Sequence, residues 1–133
     1  MELAKKKYPL CAVFRSNKDS TPSEFKPLNE ILMVINNCIN YHLIDPARKH
    51  YAQGNKEEYD KLKDKLSAFT ICGKFEPTRA VANLTEYSGF IILDIDKLEL
   101  TQVNEVKAKI IAMPLTFACF ISPSGAGLKI IVR

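Results

Sequence analysis

No apolar run in this chain approaches the roughly 18 residues that a membrane helix requires, so a helical membrane span is excluded. The N-terminus, MELAKKKYPL, carries a lysine cluster but no apolar stretch ahead of the first candidate strand, so it is not a secretory signal. Lys5, Lys6 and Lys7 read as a solvated terminus or a weak phosphate-contacting arm. CxxC pairs are missing as well. Cys11, Cys38, Cys72 and Cys119 are spread along the chain, three of them in apolar stretches where cysteine acts as a small core residue. Neither a zinc site nor a disulfide framework is expected, and the reducing cytoplasm is the expected compartment. A large charge excess is absent too. The net charge is +4, with acidic residues mixed among the basic ones, which is compatible with an anionic partner without requiring one. No Ser-His-Asp or Cys-His arrangement is evident, and His42 and His50 read as surface or helix-packing residues.

What is present is the composition of an ordinary soluble domain. Of the 133 residues 47% are hydrophobic and 26% charged, enough for one compact domain with a real core. No repeat, low-complexity segment or linker divides residues 1–133. The chain stops at Arg133, directly after KIIV, within what reads as a strand, which suggests a fragment of a longer protein.

Hydrophobic spacing supplies the elements. Residues 8–15, YPLCAVFR, read as a strand. Leu28, Ile31, Leu32, Ile35, Cys38, Ile39 and His42 define one face of a helix that begins after Pro27. Residues 45–54 suggest a short helix closed by Gly54. Asn55 can cap the next helix, with Glu58 three residues on, and Tyr59, Leu62 and Leu66 form its buried stripe. SAFTICGKF reads as a short strand and turn, and EPTRAVANLTEYS as a loop with one helical turn. The last third is a strand from Gly89 to Asp96, a helix from Asn104 to Met113 and a strand from Leu115 to Ile121. A tight turn and a strand from Leu128 to Val132 follow. Val103, Val106, Ile110 and Ile111 mark one side of that helix. This order is the opening of a split βαβ unit, and the fold class expected is α+β, RRM-like, with helices on one face of the sheet and an open face carrying the site.

Two strings carry the chemistry: GFIILDID at 89–96 and SPSGAGLK at 122–129. In a split βαβ unit the last strand fills the gap beside the first and runs antiparallel to it, so Asp94 and Asp96 arrive where Lys129 begins. Alternation places Ile91, Leu93 and Ile95 against the helices and Phe90, Ile92, Asp94 and Asp96 on the open face. Leu128, Ile130 and Val132 would likewise face the helices, and Lys129, Ile131 and Arg133 the open side. Two carboxylates at i and i+2 can hold a hard divalent cation that also takes phosphate oxygens. The turn offers Ser122 and Ser124 hydroxyls and backbone N–H groups, with Gly125 and Gly127 permitting close approach. Lys129 adds a point charge for phosphate.

The combination of hhhDhD on a strand and SxSGxGxK at a following hairpin resembles the primase–polymerase (archaeo-eukaryotic primase) superfamily. LSAFTICGKFEPTR, LTEYSGFIILDIDKL and FISPSGAGLKIIV more closely resemble the VirE-type N-terminal domain, which precedes a helicase-like ATPase in bacterial mobile-element proteins. The resemblance covers most of the chain from Leu66 onward. It implies that Asp94 and Asp96 bind Mg²⁺ or Mn²⁺, that Ser122, Ser124, Gly125 and Gly127 form the nucleotide-phosphate turn, and that Lys129 stands where many members have a histidine. Arg79, after GKFEPT, is a further nucleotide contact to test. The superfamily also uses a third acid on a later strand, which no residue of this chain supplies.

Plainer readings stand beside these. Asp94 and Asp96 are also what strand-end acids entering a loop look like, SPSGAG is also an ordinary hairpin turn, and Lys129 can simply pair with Asp94. The turn is not a Walker A loop, because GLKIIV leads into a strand and not a helix. The function expected is therefore a primase–polymerase-like N-terminal module of a longer mobile-element replication protein. It would bind metal with a nucleoside triphosphate or single-stranded DNA, and it would be a nucleotidyltransferase only if residues beyond the chain complete it. The alternative is a catalytically inactive module that docks nucleic acid or a partner ATPase domain.

Overall fold

The computed structural model of the chain describes residues 7–133; Lys5 and Lys6 lie outside the described residues. Its first part comprises β1 (Leu10–Phe14), β2 (Glu24–Pro27), α1 (Leu28–Asn36), α2 (Tyr41–Ala52), α3 (Lys56–Lys63) and β3 (Ala68–Thr70). A hairpin of β4 (Gly73–Phe75) and β5 (Leu84–Tyr87) follows, with a 3-10 turn at Val81–Asn83 inside its loop. The last part is β6 (Ile91–Ile95), α4 (Val103–Ile111), β7 (Thr116–Ile121) and β8 (Leu128–Val132). The strands form three antiparallel sheets, ordered β2-β1-β3, β4-β5 and β6-β8-β7. The fold is α+β. Among the described residues no helix is long and apolar enough to cross a membrane.

Local sequence explains most of these elements. Pro27 precedes α1 and supplies a φ of −59° suited to helix entry. The expected single helix from Leu28 to His42 is instead broken. Residues Asn36 and Asn37 are poor helix formers, and Cys38 adopts φ 51°, a left-handed conformation that ends the helix. Cys38 and Ile39 are consequently exposed in the break, not on a buried stripe. The second helix starts at Tyr41, four residues before Asp45, and carries Pro46 inside it. Gly54, φ 74°, lies just past its end as expected. The Asn55 side chain accepts a hydrogen bond from the Glu58 backbone N–H at 3.3 Å, which caps α3. Tyr59 and Leu66 are buried, although α3 ends at Lys63 and Leu66 is reached by the chain that follows.

Two apolar clusters hold the last sheet from opposite sides. On one face α4 lays Val103 and Ile110 over Leu128 and Ile130, with Val106, Cys119 and Ile121 alongside. Ile111 does not join them and is largely exposed, because successive helical residues lie about 100° apart. Helix α4 packs on β7 and β8, so on the edge strand β6 Ile91 and Leu93 stay 46% and 47% exposed, not buried against helices as expected. On the other face Ile131 and Phe90 are buried with Cys11, Val13, Leu28, Ile31 and Ile71. The face expected to be open is thus largely covered by β1 and α1, and Ile131 belongs to the main core. Burial of this kind pushes the Cys11 thiol up to about 11, where it stays protonated and inert near neutral pH. A thiol reagent added to the folded protein is expected to label exposed Cys38 and to reach Cys11 only on unfolding, as peptide mass mapping with and without urea would show.

Candidate functional site

Strand β8 lies between β6 and β7 and pairs antiparallel with both, and Asp94 stands directly opposite Lys129 in the β6–β8 register. Lys129 Nζ donates to Asp94 Oδ1 at 2.8 Å. The side chains of Lys129 and Asp94 are 33% and 47% exposed, so solvent still screens the pair and its contribution to stability is small. Immediately after Asp96 the backbone turns sharply at Lys97, φ 57°, and the Leu98 N–H donates to the Ala126 carbonyl at 2.8 Å. That bond ties the end of the acidic strand to the serine–glycine turn.

The turn is built from its own groups. The Ser122 N–H donates to the Gly127 carbonyl at 2.9 Å, and the Gly125 N–H to the Ser122 carbonyl at 3.0 Å. The Ala126 N–H donates to Ser124 Oγ at 3.1 Å, and the Ser122 and Ser124 hydroxyls are 2.9 Å apart. Three N–H groups expected to form an anion nest are therefore spent inside the turn, which presents hydroxyl oxygens more than amide protons. Gly127 makes the close approach possible. A Cβ there would lie 2.7 Å from the Ile95 carbonyl, 2.9 Å from Ser122 Oγ and 3.2 Å from Asp96 Oδ1. Gly125, φ 77°, instead makes room for the Arg48 side chain, whose Cγ and Cδ would be 3.3 Å from a Cβ.

Asp96, Lys129, Ser122 and Ser124 border one cleft of about 440 Å³, within the size range of small-ligand sites. Its body is apolar, formed by Ile35, Ile92, Phe69 and Phe120 among others. Asp94 does not line it but joins it through Lys129. Arg79 is held elsewhere: its guanidinium donates to the Asn17 carbonyl at 2.7 Å and lies 5.2 Å from the centre of the Phe14 ring. Of the expected site residues, the structure thus brings together the two acids, Lys129 and the turn, while Arg79, in the β4–β5 loop, is bonded to the loop after β1.

Two residues at the site escape a reading of the sequence. Arg48, from α2, donates to the Ser122 carbonyl at 3.2 Å, and its buried Nε has no partner among the described residues. Tyr59, from α3, lines the same cleft as Ser124 and Asp96; burial first, then neighbouring charges, raises its phenol above the usual range. Tyr59 is legible as a buried position, and only tertiary contact shows what it touches. Arg48 sits in a charged helical stretch with no spacing to mark it.

The donors near the turn are of the type that a hard cation takes. The Asp94 and Asp96 carboxylates and the Ser122 hydroxyl are all oxygen donors. Among the described residues, no group of three or more His, Cys, Asp or Glu side chains is arranged to hold a metal ion, so phosphate or water oxygens would have to complete the coordination.

The fold is α+β, with Asp96 and Lys129 bordering an apolar cleft and Asp94 paired with Lys129. The chain belongs to the BT4734-like family, N-terminal domain, whose family model matches residues 61–133. No curated protein and no solved structure matches it.

Proposed function

We propose that this domain is a primase–polymerase-like, VirE-type N-terminal module that binds a divalent metal, Mg²⁺ or Mn²⁺, together with a nucleoside triphosphate or single-stranded DNA. The observation that carries the reading is Asp94 of β6 paired with Lys129 of β8, with Asp96 just past β6 and Asp96, Lys129, Ser122 and Ser124 all bordering one cleft. Asp94 and Asp96 would hold the cation, and Lys129 would face the phosphate chain. Ser122 and Ser124 shape the turn beneath, and the apolar body of the cleft accepts a base. When bound, the cation supplies charge neutralisation for nucleotidyl transfer. In the full protein this module would act in mobile-element replication beside a helicase-like ATPase domain, with transfer chemistry only if a further acid beyond the chain completes the site.

The test is isothermal titration of Mg²⁺ or Mn²⁺ with a nucleoside triphosphate into the wild type and into the Asp94→Asn/Asp96→Asn variant. Metal-dependent binding in the wild type and its loss in the variant are expected, because the double change removes both carboxylates that the cation would share. Equal binding by the two proteins would sink the reading. It would favour instead a non-enzymatic docking module, for which the exposed apolar edge at Ile91, Ile92 and Leu93 is the supporting observation.

A further inference from the structure

We propose that Lys129 is a displaceable counter-ion for Asp94, so that the site takes a divalent cation and a phosphate chain only as a pair. The inference rests on the metal-and-phosphate reading above and adds the order of charges within it. In the free protein Lys129 Nζ already occupies Asp94 Oδ1 at 2.8 Å. A cation arriving alone must either approach an ammonium group or leave Asp94 to it. That leaves Asp96 as its one unpaired carboxylate, with no third acid or histidine in reach among the described residues. A phosphate chain arriving alone meets two carboxylates for one lysine. Arriving together, each removes the other's penalty. The cation takes the Asp94 oxygen, and Lys129, which borders the cleft beside Ser122 and Ser124, turns from Asp94 to the phosphate.

The geometry permits that exchange. Lysine is a point charge on a flexible four-carbon stem and needs no fixed approach direction. Both partners of the pair are partly solvated, so breaking it does not strand a buried charge. Asp96 Oδ1, the Ile95 carbonyl and Ser122 Oγ converge around Gly127 independently of Lys129, so the rest of the oxygen set stays in place while the lysine moves. Coupling between the two ligands is reciprocal and on the order of ten-fold or more for a charge exchange of this kind.

The signature is a pair of opposite changes in Lys129→Met. Binding of Mn²⁺ alone, read from the electron paramagnetic resonance signal of the free ion, is expected to tighten by about ten-fold, because the competing ammonium is gone. Binding of the Mn²⁺–triphosphate complex, read by calorimetry, is expected to weaken. A merely structural lysine would change both in the same direction or neither, and Lys129→Arg should keep the wild-type pattern. If Mn²⁺ alone binds Lys129→Met no tighter than the wild type, the counter-ion role is overturned while the site itself stands, provided the wild type binds the complex. If the wild type binds neither ion nor complex, the metal-and-phosphate reading falls and the exchange with it. Lys129→Gln, closer to lysine in polarity, repeats the comparison should the methionine variant misfold.

Discussion

Gly127→Ala is expected to abolish metal-dependent nucleotide binding and to lower unfolding stability by about 2 kcal/mol, the usual cost of forcing extra volume into a packed site. Gly127 is buried in the turn just before β8, and the added methyl would sit 2.7 Å from the Ile95 carbonyl. That oxygen belongs to the backbone of β6, not to the end of a flexible side chain, so relief requires β6 and the hairpin to separate. The same methyl would press on Ser122 Oγ and Asp96 Oδ1, oxygen atoms on which the proposed metal site relies. Gly125→Ala is the informative contrast. There the neighbour is the flexible Arg48 side chain, and the cost comes from holding alanine at φ 77°, about 1 kcal/mol. Urea denaturation of both variants, with calorimetry of Mn²⁺ and a nucleoside triphosphate, separates the two effects. A Gly127→Ala protein as stable and as competent as the wild type would show that close packing at this glycine does not position the acids.

The parts of this site legible in sequence are those fixed by short-range pattern. The strand–helix–strand–turn–strand order puts 128–132 antiparallel beside 89–96 and so brings Asp94 and Asp96 near the start of Lys129's strand, while the register itself, Asp94 opposite Lys129, comes from the structure. The Asn55 cap follows from one side chain and the residue three positions on. What pattern cannot carry is the identity of whatever covers a face. A period of two says that Ile131 and Lys129 share a side of β8. It does not say that Cys11, Val13, Leu28 and Ile31, from the opposite end of the chain, close over one of them and leave a cleft at the other. The break after Asn36 is hidden for a related reason. Spacing of apolar residues continues through Ile39 while weak helix propensity and the left-handed Cys38 backbone end the helix beneath it. Arg48, on the helix that follows the break, donates to the Ser122 carbonyl, so a residue without any motif becomes a neighbour of the turn.

Ile131→Ala is expected to destabilise the domain by about 2–5 kcal/mol, the range for large-to-small changes in a packed core, against a total stability of about 5–15 kcal/mol typical of domains this size. Ile131 is 0% exposed and meets side chains from β1, α1 and the segments around Ile71 and Phe90, so the cavity left behind is walled by several elements that cannot all collapse into it. Its neighbour in sequence, Lys129, sits on the same face only two residues away. Loosening Ile131 therefore frees the strand that holds the Lys129 ammonium opposite Asp94, and the proposed nucleotide binding should weaken in step with stability. Ile91→Ala provides the control on the same sheet. Ile91 pairs with Val132 across the ladder, yet it stands on the uncovered edge strand, half exposed, and its truncation is expected to cost under about 1 kcal/mol. Chemical denaturation midpoints of the two variants decide the matter. Were the face of β8 open to solvent, Ile131→Ala would behave like Ile91→Ala. A large gap between them is what a covered face demands, because the penalty follows how tightly the side chain is enclosed and not the residue type, which is isoleucine at both positions.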